Sequence, residues 1–251
     1  MTRNMNSATQ LEIFMVDHKG TATSLPIGLD DYLDTLREFI EFVNRQVGVY
    51  TDAIAGFAGN KARVELQVAR VLRKSGMRKD LDGTNVVVWS SLEDPTSPDV
   101  IHQRIARASD FVANNSVHGF NEQQNARAII VFIFAYWDEE IRPRLARHRG
   151  LSSVNQIEVD ALGDLRLLRR AIIHNRGILS AEGHHKLKVM KAMFSPDAEI
   201  IVSHDHMHKM FVYVKQGIAK LIIDHTGPRP GTPEPSEIKD VAVQRKGKSQ
   251  S

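Results

Sequence analysis

Apolar residues recur along most of the chain at the three- and four-residue steps of amphipathic helices. The first such stretch predicts a long helix from Asp30 or Asp31 toward Lys74. Three glycines near its middle predict a weak point or a break there: Gly48, Gly56 and Gly59. The apolar positions on either side of them are Leu33, Leu36, Ile40, Val43 and Val47, then Val64, Leu66, Val68, Val71 and Leu72.

The same periodicity predicts several further helices and little sheet. The expected helices cover residues 98–115, 121–137, 155–174, 181–194 and 207–223. The helix over 98–115 is predicted from Pro98 and Asp99 in its first turn and from Ile101, Ile105, Ala108 and Val112 on one face. Short strands are expected near 11–16, 85–89 and 199–202. The fold class is therefore expected to be all-α, a helical bundle with minor short strands.

A change in composition near Thr226 sets the predicted boundaries. Residues 227–251 hold four of the nine prolines and a basic tip, and they lack apolar periodicity. We expect a disordered Pro-rich tail there, either a solvated tail or an arm that contacts nucleic acid. The rest divides into an N-terminal helical extension, 1–97, and a helical bundle, 98–226.

Composition excludes several classes of protein. The chain has no cysteine, which rules out a disulfide scaffold, a thiol nucleophile and cysteine-ligated metal sites. The most apolar run, residues 128–137, is about half as long as a membrane span requires. It predicts a central buried helix segment instead. The polar start MTRNMNSATQ lacks an export signal, so a cytoplasmic setting is expected.

The segment 154–177 holds the candidate chemistry. Its apolar residues form one stripe: Val154, Ile157, Ala161, Leu165, Leu168 and Ile172. At about 100° per residue, Arg169 falls on the border of that stripe, beside Leu162 and Ile173. His174 lies about 140° from Arg169. The two side chains converge only if the helix end turns or if a second copy supplies one of them.

Two kinds of arginine are expected on this helix. Arg166 and Arg170 point outward near the C-terminal end, where cations interact favourably with the helix dipole. Arg169 is flanked by apolar residues, and an arginine so placed usually has a specific partner.

The sequence LRRAIIHNRG at the end of this helix resembles the signature of the HEPN superfamily (higher eukaryotes and prokaryotes nucleotide-binding). That signature is an Arg, four to six residues, then a His that is usually followed by Asn, and Arg169, His174 and Asn175 match it. The resemblance extends by helix order over roughly 98–225 and is specific in motif over 165–177. The motif Arg is typically followed by a short polar residue, where this chain has Arg170.

The resemblance implies an α-helical bundle and a metal-independent endoribonuclease of a toxin–antitoxin or phage-defence system. It also implies a homodimer with a composite site, RNA as substrate and a cognate antitoxin as possible partner. We expect the dimer interface to include the 155–177 helix, lined partly by Leu162 and Ile173. The alternative is a non-catalytic module that binds RNA or a protein partner through the same helix end, and Arg170 is the departure that favours it.

The residue types fit RNA cleavage without a metal or cofactor. An imidazole such as His174 can accept and donate protons near neutral pH. The planar guanidinium of Arg169 can stabilise the charge on the phosphate in the transition state. Asn175 either orients His174 or caps the helix, and capping is favoured. Arg166, Arg170 and Arg176 are candidate RNA-binding residues beside them.

Other polar clusters are interpreted structurally. The late histidines are His184, His185, His204, His206 and His208, and their spacing is not that of a usual zinc site, so we expect solvated or capping histidines. The arginine-rich run 142–149 is either a solvated helix end or an RNA backbone contact. The acidic trio 138–140 is expected to be solvated or to pair with those arginines.

Overall fold

The computed structural model describes residues 31–75, 86–93, 96 and 101–226, and they form a mainly helical protein with two short antiparallel sheets. The all-α expectation is confirmed at this level. In chain order, the elements are α1 (Asp31–Ser75), β1 (Val87–Glu93), β2 (Ile101–Arg107), α2 (Ala108–Asn114), α3 (Phe120–Tyr136), α4 (Arg142–His148), α5 (Asp160–His174), β3 (Ile178–Leu179), α6 (Ala181–His185), β4 (Ala198–Glu199) and α7 (His204–Thr226).

Helix α1 runs through its three central glycines without a break. A glycine within a helix costs about 1 kcal/mol relative to alanine, and the turns on either side propagate through it. The predicted break was therefore wrong, while the predicted extent of the helix was right.

The main core lies where α3 packs between α1 and α5. Phe39 of α1 contacts Trp137 with ring centroids 5.3 Å apart, and Leu165 and Leu168 of α5 are buried in the same core. Helices α4 and α7 also pack against α1. The first half of α1 thus belongs to the core that carries α5.

A second, smaller core joins the far half of α1 to β1, β2 and α2. It is built from Val64, Val68, Leu72 and Ala108, with Val86, Val88, Phe111 and Val112 packed against them. We call residues 60–75 of α1 together with β1, β2 and α2 the arm.

The predicted helix over 98–115 was wrong in its first half. Residues 101–107 form β2, which pairs antiparallel with β1 from Val87↔Arg107 to Glu93↔Ile101, and only residues 108–114 are helical. Ile101 and Ile105 are four residues apart, which suits a helix face and one face of a strand equally. Pairing with β1 makes this segment a strand, and the spacing of its own residues does not reveal that pairing.

Two other helices are shorter than predicted. Helix α5 begins at Asp160, because Ser153 caps a separate 3-10 turn at Val154–Gln156 first. The expected helix 181–194 is the short α6 followed by a loop and a 3-10 turn at Lys191–Met193. Helix α3 continues into a π-helical turn at Trp137–Ile141, which joins it to α4 just before Pro143.

Some predictions fall outside the described residues: the strand at 11–16 and the tail at 227–251. The predicted boundary between residues 97 and 98 lies in the connection between β1 and β2. Among the described helices, none combines the length and apolar character needed to cross a membrane.

Candidate functional site

Helix α5 presents the predicted apolar stripe to the core. Ala161, Leu165 and Leu168 are buried, and Ile172 is half-buried. Leu162 is also buried, with 1% of its surface exposed, whereas Ile173 is 47% exposed. The border between core and surface therefore runs through the turn that holds Arg169.

Arg169 lies half-buried on that border, against an aromatic ring instead of a carboxylate. Its guanidinium carbon is 5.8 Å from the ring centroid of Phe134 on α3. Its Nε atom is buried and has no hydrogen-bond partner in the part of the chain that the structure describes. A buried polar atom without a partner is costly, and Arg127 Nε is in the same state among the described residues.

His174 is the last residue of α5 and is exposed. The helix stays regular through this residue, so the end does not turn to bring His174 toward Arg169. The two side chains keep the divergence of about 140° that the helical period gives. On one helix, Arg169 and His174 therefore do not converge.

The chain leaves α5 through a tight turn. Asn175 is the C-cap residue, and the carbonyl of Ala171 accepts hydrogen bonds from the N–H groups of Asn175 (3.0 Å) and Gly177 (2.9 Å). Arg176 and Gly177 both have left-handed backbone conformations, with φ of 55° and 81°. Asn175 thus lies where the favoured capping interpretation put it.

Arg127 of α3 contacts this turn, and sequence reasoning missed it. Its Nη2 donates to the Glu199 carboxylate (2.6 Å) and to the Ile200 carbonyl (2.9 Å). A Cβ on Gly177 would lie 3.2 Å from its Nη1. Arg127 therefore packs directly against the backbone that follows His174. The available signal was the single basic residue of α3, which lies directly before the apolar run of that helix.

Asp164 is a second residue that the sequence did not single out. It is buried on α5, and its carboxylate accepts hydrogen bonds at 2.8 Å from the backbone N–H groups of Lys188, Val189 and Met190. Three such bonds satisfy a buried carboxylate. They also fix the segment after α6 to the middle of α5.

The other predicted binding residues are exposed: Arg166 in the first half of α5, and Arg170, Asn175 and Arg176 around its end. Arg170 and Asn175 share a small cleft of about 110 Å³ with Glu182 and Lys186. The hydrogen bond from Lys186, with Arg170 nearby, holds the pKa of the Glu182 carboxyl below its usual value. Arg166 lines a separate open cleft of about 370 Å³ over the first half of α5.

The late histidines make contacts within the fold. His184 Nε2 lies 3.2 and 3.0 Å from the carbonyl oxygens of Lys191 and Phe194, and His206 Nδ1 lies 3.2 Å from the Ile201 carbonyl. Within the described residues, no three His, Asp or Glu side chains are grouped so that they could hold a metal ion.

The arginines after the central helix largely have internal partners. Arg142 donates to the Ile157 carbonyl and to Asp138, as expected for the acidic trio. Arg144 donates to Glu38 at 2.7 Å, and Tyr136 also donates to this carboxylate. These two hydrogen bonds hold the pKa of Glu38 below its ordinary value. Arg142 and Arg144 therefore brace α4 against the rest of the fold.

Comparison of the chain with protein-family models, with curated proteins and with solved structures finds no match in any of the three.

Proposed function

We propose that the protein is a metal-independent endoribonuclease of HEPN type, acting in a toxin–antitoxin or phage-defence system. The observation that carries the proposal is Arg169, a half-buried guanidinium that has an aromatic ring but no anion among the described residues. An RNA phosphate would supply the missing anion. His174, exposed at the end of the same helix, is the proton-transfer group.

The proposed reaction is transesterification. The imidazole of His174 accepts the proton of a ribose 2′-hydroxyl, whose oxygen attacks the adjacent phosphorus. Arg169 stabilises the extra negative charge on the pentacoordinate phosphate. The bond to the 5′-oxygen then breaks, and that oxygen takes a proton from an imidazolium. The products are a 2′,3′-cyclic phosphate and a 5′-hydroxyl end.

Two copies of the chain are proposed to form the site. The reaction has two proton transfers on opposite sides of the phosphate, and the motif supplies one histidine per chain. A two-fold axis beside α5 brings two Arg169–His174 pairs together. Ile173 on this helix and Ile178 just after it are exposed apolar side chains, 47% and 46% exposed. Leu162, the other residue expected at the interface, is buried within its own chain and cannot line it.

The second candidate is a module that binds RNA or a protein, such as an antitoxin, without cleaving RNA. The divergence of Arg169 and His174 on one helix favours it, because a chain that does not pair has no composite site.

Purified protein incubated with RNA in EDTA separates the two. We expect cleavage that yields 5′-hydroxyl ends and that is abolished in His174→Ala. His208→Ala is the matched control, since His208 is an exposed histidine on α7 and should not matter. Binding of RNA with no cleavage by the wild-type protein would support the module instead.

A further inference from the structure

The outer face of the β1–β2 hairpin is exposed at Val87, Trp89, Ile105 and Arg107 within the described part of the chain. Val87 pairs with Arg107 and Trp89 pairs with Ile105, so these four side chains share one face. Trp89 is 59% exposed and Ile105 is 67% exposed. The alternate residues Val86 and Val88 pack against α1 and α2. One face of the hairpin thus packs against the small core, and the other face is exposed.

The helix that carries this hairpin is strongly basic. Residues 60–75 contain Lys61, Arg63, Arg70, Arg73 and Lys74 but one acid, Glu65, which gives +4. The whole chain carries +3, so the remaining residues sum to −1. Residues 60–75 are therefore one of two strongly basic stretches, the other being the run 142–149 with its four arginines.

The arm's cations are not neutralised internally. In the described ranges, none of them forms an ion pair with a carboxylate. Four of these cations lie within an arc of about 100° around α1, on the side that faces away from the hairpin: Arg63, Arg70, Arg73 and Lys74. Arg107 is the cation on the hairpin's own outer face, diagonal to Trp89 and within reach of a long side chain.

We propose that this outer face binds single-stranded RNA, with a base stacked on Trp89 and a neighbouring phosphate held by Arg107. Unpaired bases stack on exposed aromatic side chains, and flanking cations hold the backbone. Arg107 on this face, together with the net positive charge of residues 60–75 behind it, favours a polyanion over a protein surface of mixed charge. The inference deepens the proposed function, on which its choice of RNA rests, by giving the substrate a second contact remote from α5.

Tryptophan fluorescence tests the proposal directly. The chain has two tryptophans, and Trp137 is 2% exposed, so Trp89 is the one that a base can reach. The full-length His174→Ala protein, which leaves the probe intact, is titrated with a 12-nucleotide oligouridine. We expect quenching that saturates with the oligonucleotide and that is absent with inorganic polyphosphate, which has no bases.

Variants then assign the contacts. Trp89→Ala should weaken oligouridine binding about tenfold, and Trp89→Phe should retain most of the affinity. Arg107→Ala should reduce the slope of log affinity against log salt by about one. The matched controls are Phe120→Ala, which removes an exposed aromatic residue outside the arm, and Arg45→Ala, which removes an exposed arginine from the first half of α1. Neither should change binding.

Unchanged affinity in Trp89→Ala, or equal quenching by polyphosphate, would overturn the proposal and leave the hairpin as a surface for a protein partner. The outcome is separable from that of the catalytic proposal. Wild-type protein that binds oligouridine through Trp89 but cleaves no RNA supports this inference and contradicts the nuclease. RNA cleavage that depends on His174, with no effect of Trp89→Ala on binding, supports the nuclease and contradicts this inference.

Discussion

At the scale of single residues, Arg169 owes its properties to its place on α5. The position after a leucine of the apolar stripe puts its stem in the core and its guanidinium over Phe134. Periodicity predicted that border position from the sequence. Periodicity could not predict that Arg169 Nε lacks a hydrogen-bond partner, because this depends on which residues of α3 lie next to Arg169.

The two adjacent arginines should differ sharply in cleavage. Arg169→Lys should lower the cleavage rate in EDTA by 100-fold or more, roughly the cost of losing one donor to the transition state, because an ammonium does not reproduce a planar fork. Arg170→Ala, at an exposed position, should retain most of the rate. An inactive Arg170→Ala with an unimpaired Arg169→Lys would show that the wrong arginine has been assigned.

Substitution of two glycines of this region by alanine should change the free energy of unfolding in opposite directions. Gly177→Ala should lower the free energy of unfolding by about 1–2 kcal/mol, since its φ is +81° and the new Cβ would press on Arg127. Gly163→Ala should raise it by about 0.5–1 kcal/mol, because that glycine is helical with open space around it. Urea unfolding measures both, and equal stability of the two variants would contradict the assigned turn geometry.

At the scale of elements, the sequence predicted long periodic helices well and paired segments poorly. Helices α1, α3 and α7 lie where their apolar spacing placed them. Strand β2 was missed because its residues fit a helix face until β1 pairs with them. The segment after α6 was taken as helix because nothing local reveals that its N–H groups bond to Asp164, more than twenty residues earlier.

Asp164 should be a major determinant of how α5 and the segment after α6 pack. Asp164→Ala leaves three backbone N–H groups without their acceptor and should cost about 3 kcal/mol of unfolding free energy. Asp160→Ala is the control on the same helix. Its exposed carboxylate pairs with Lys188, and its loss should cost under about 1 kcal/mol. Similar losses for the two variants would contradict the role given to the buried carboxylate.

At the scale of the whole molecule, two cores along one long helix separate two surfaces. The main core positions α5 and its motif, and the small core carries the hairpin and the basic end of α1. Helix α1 has 45 residues, which at about 1.5 Å each makes it long enough to hold these surfaces far apart. The arrangement suits an extended substrate that is held at the arm while it is cut at α5.

The central claim is that Arg169 and His174 of two copies form one metal-independent site. It is tested most directly by mixing two inactive proteins, Arg169→Ala and His174→Ala, and measuring RNA cleavage in EDTA. Chains that exchange partners form mixed dimers with one intact arginine and one intact histidine, whereas each parent dimer lacks one of the two entirely. We expect the mixture to regain part of the wild-type cleavage, because one of the two proton transfers is still assisted, while neither parent protein cleaves by itself. Mixed dimers that form, as shown by light scattering and tagged pull-down, yet remain inactive would contradict it, as would a wild-type monomer with full activity.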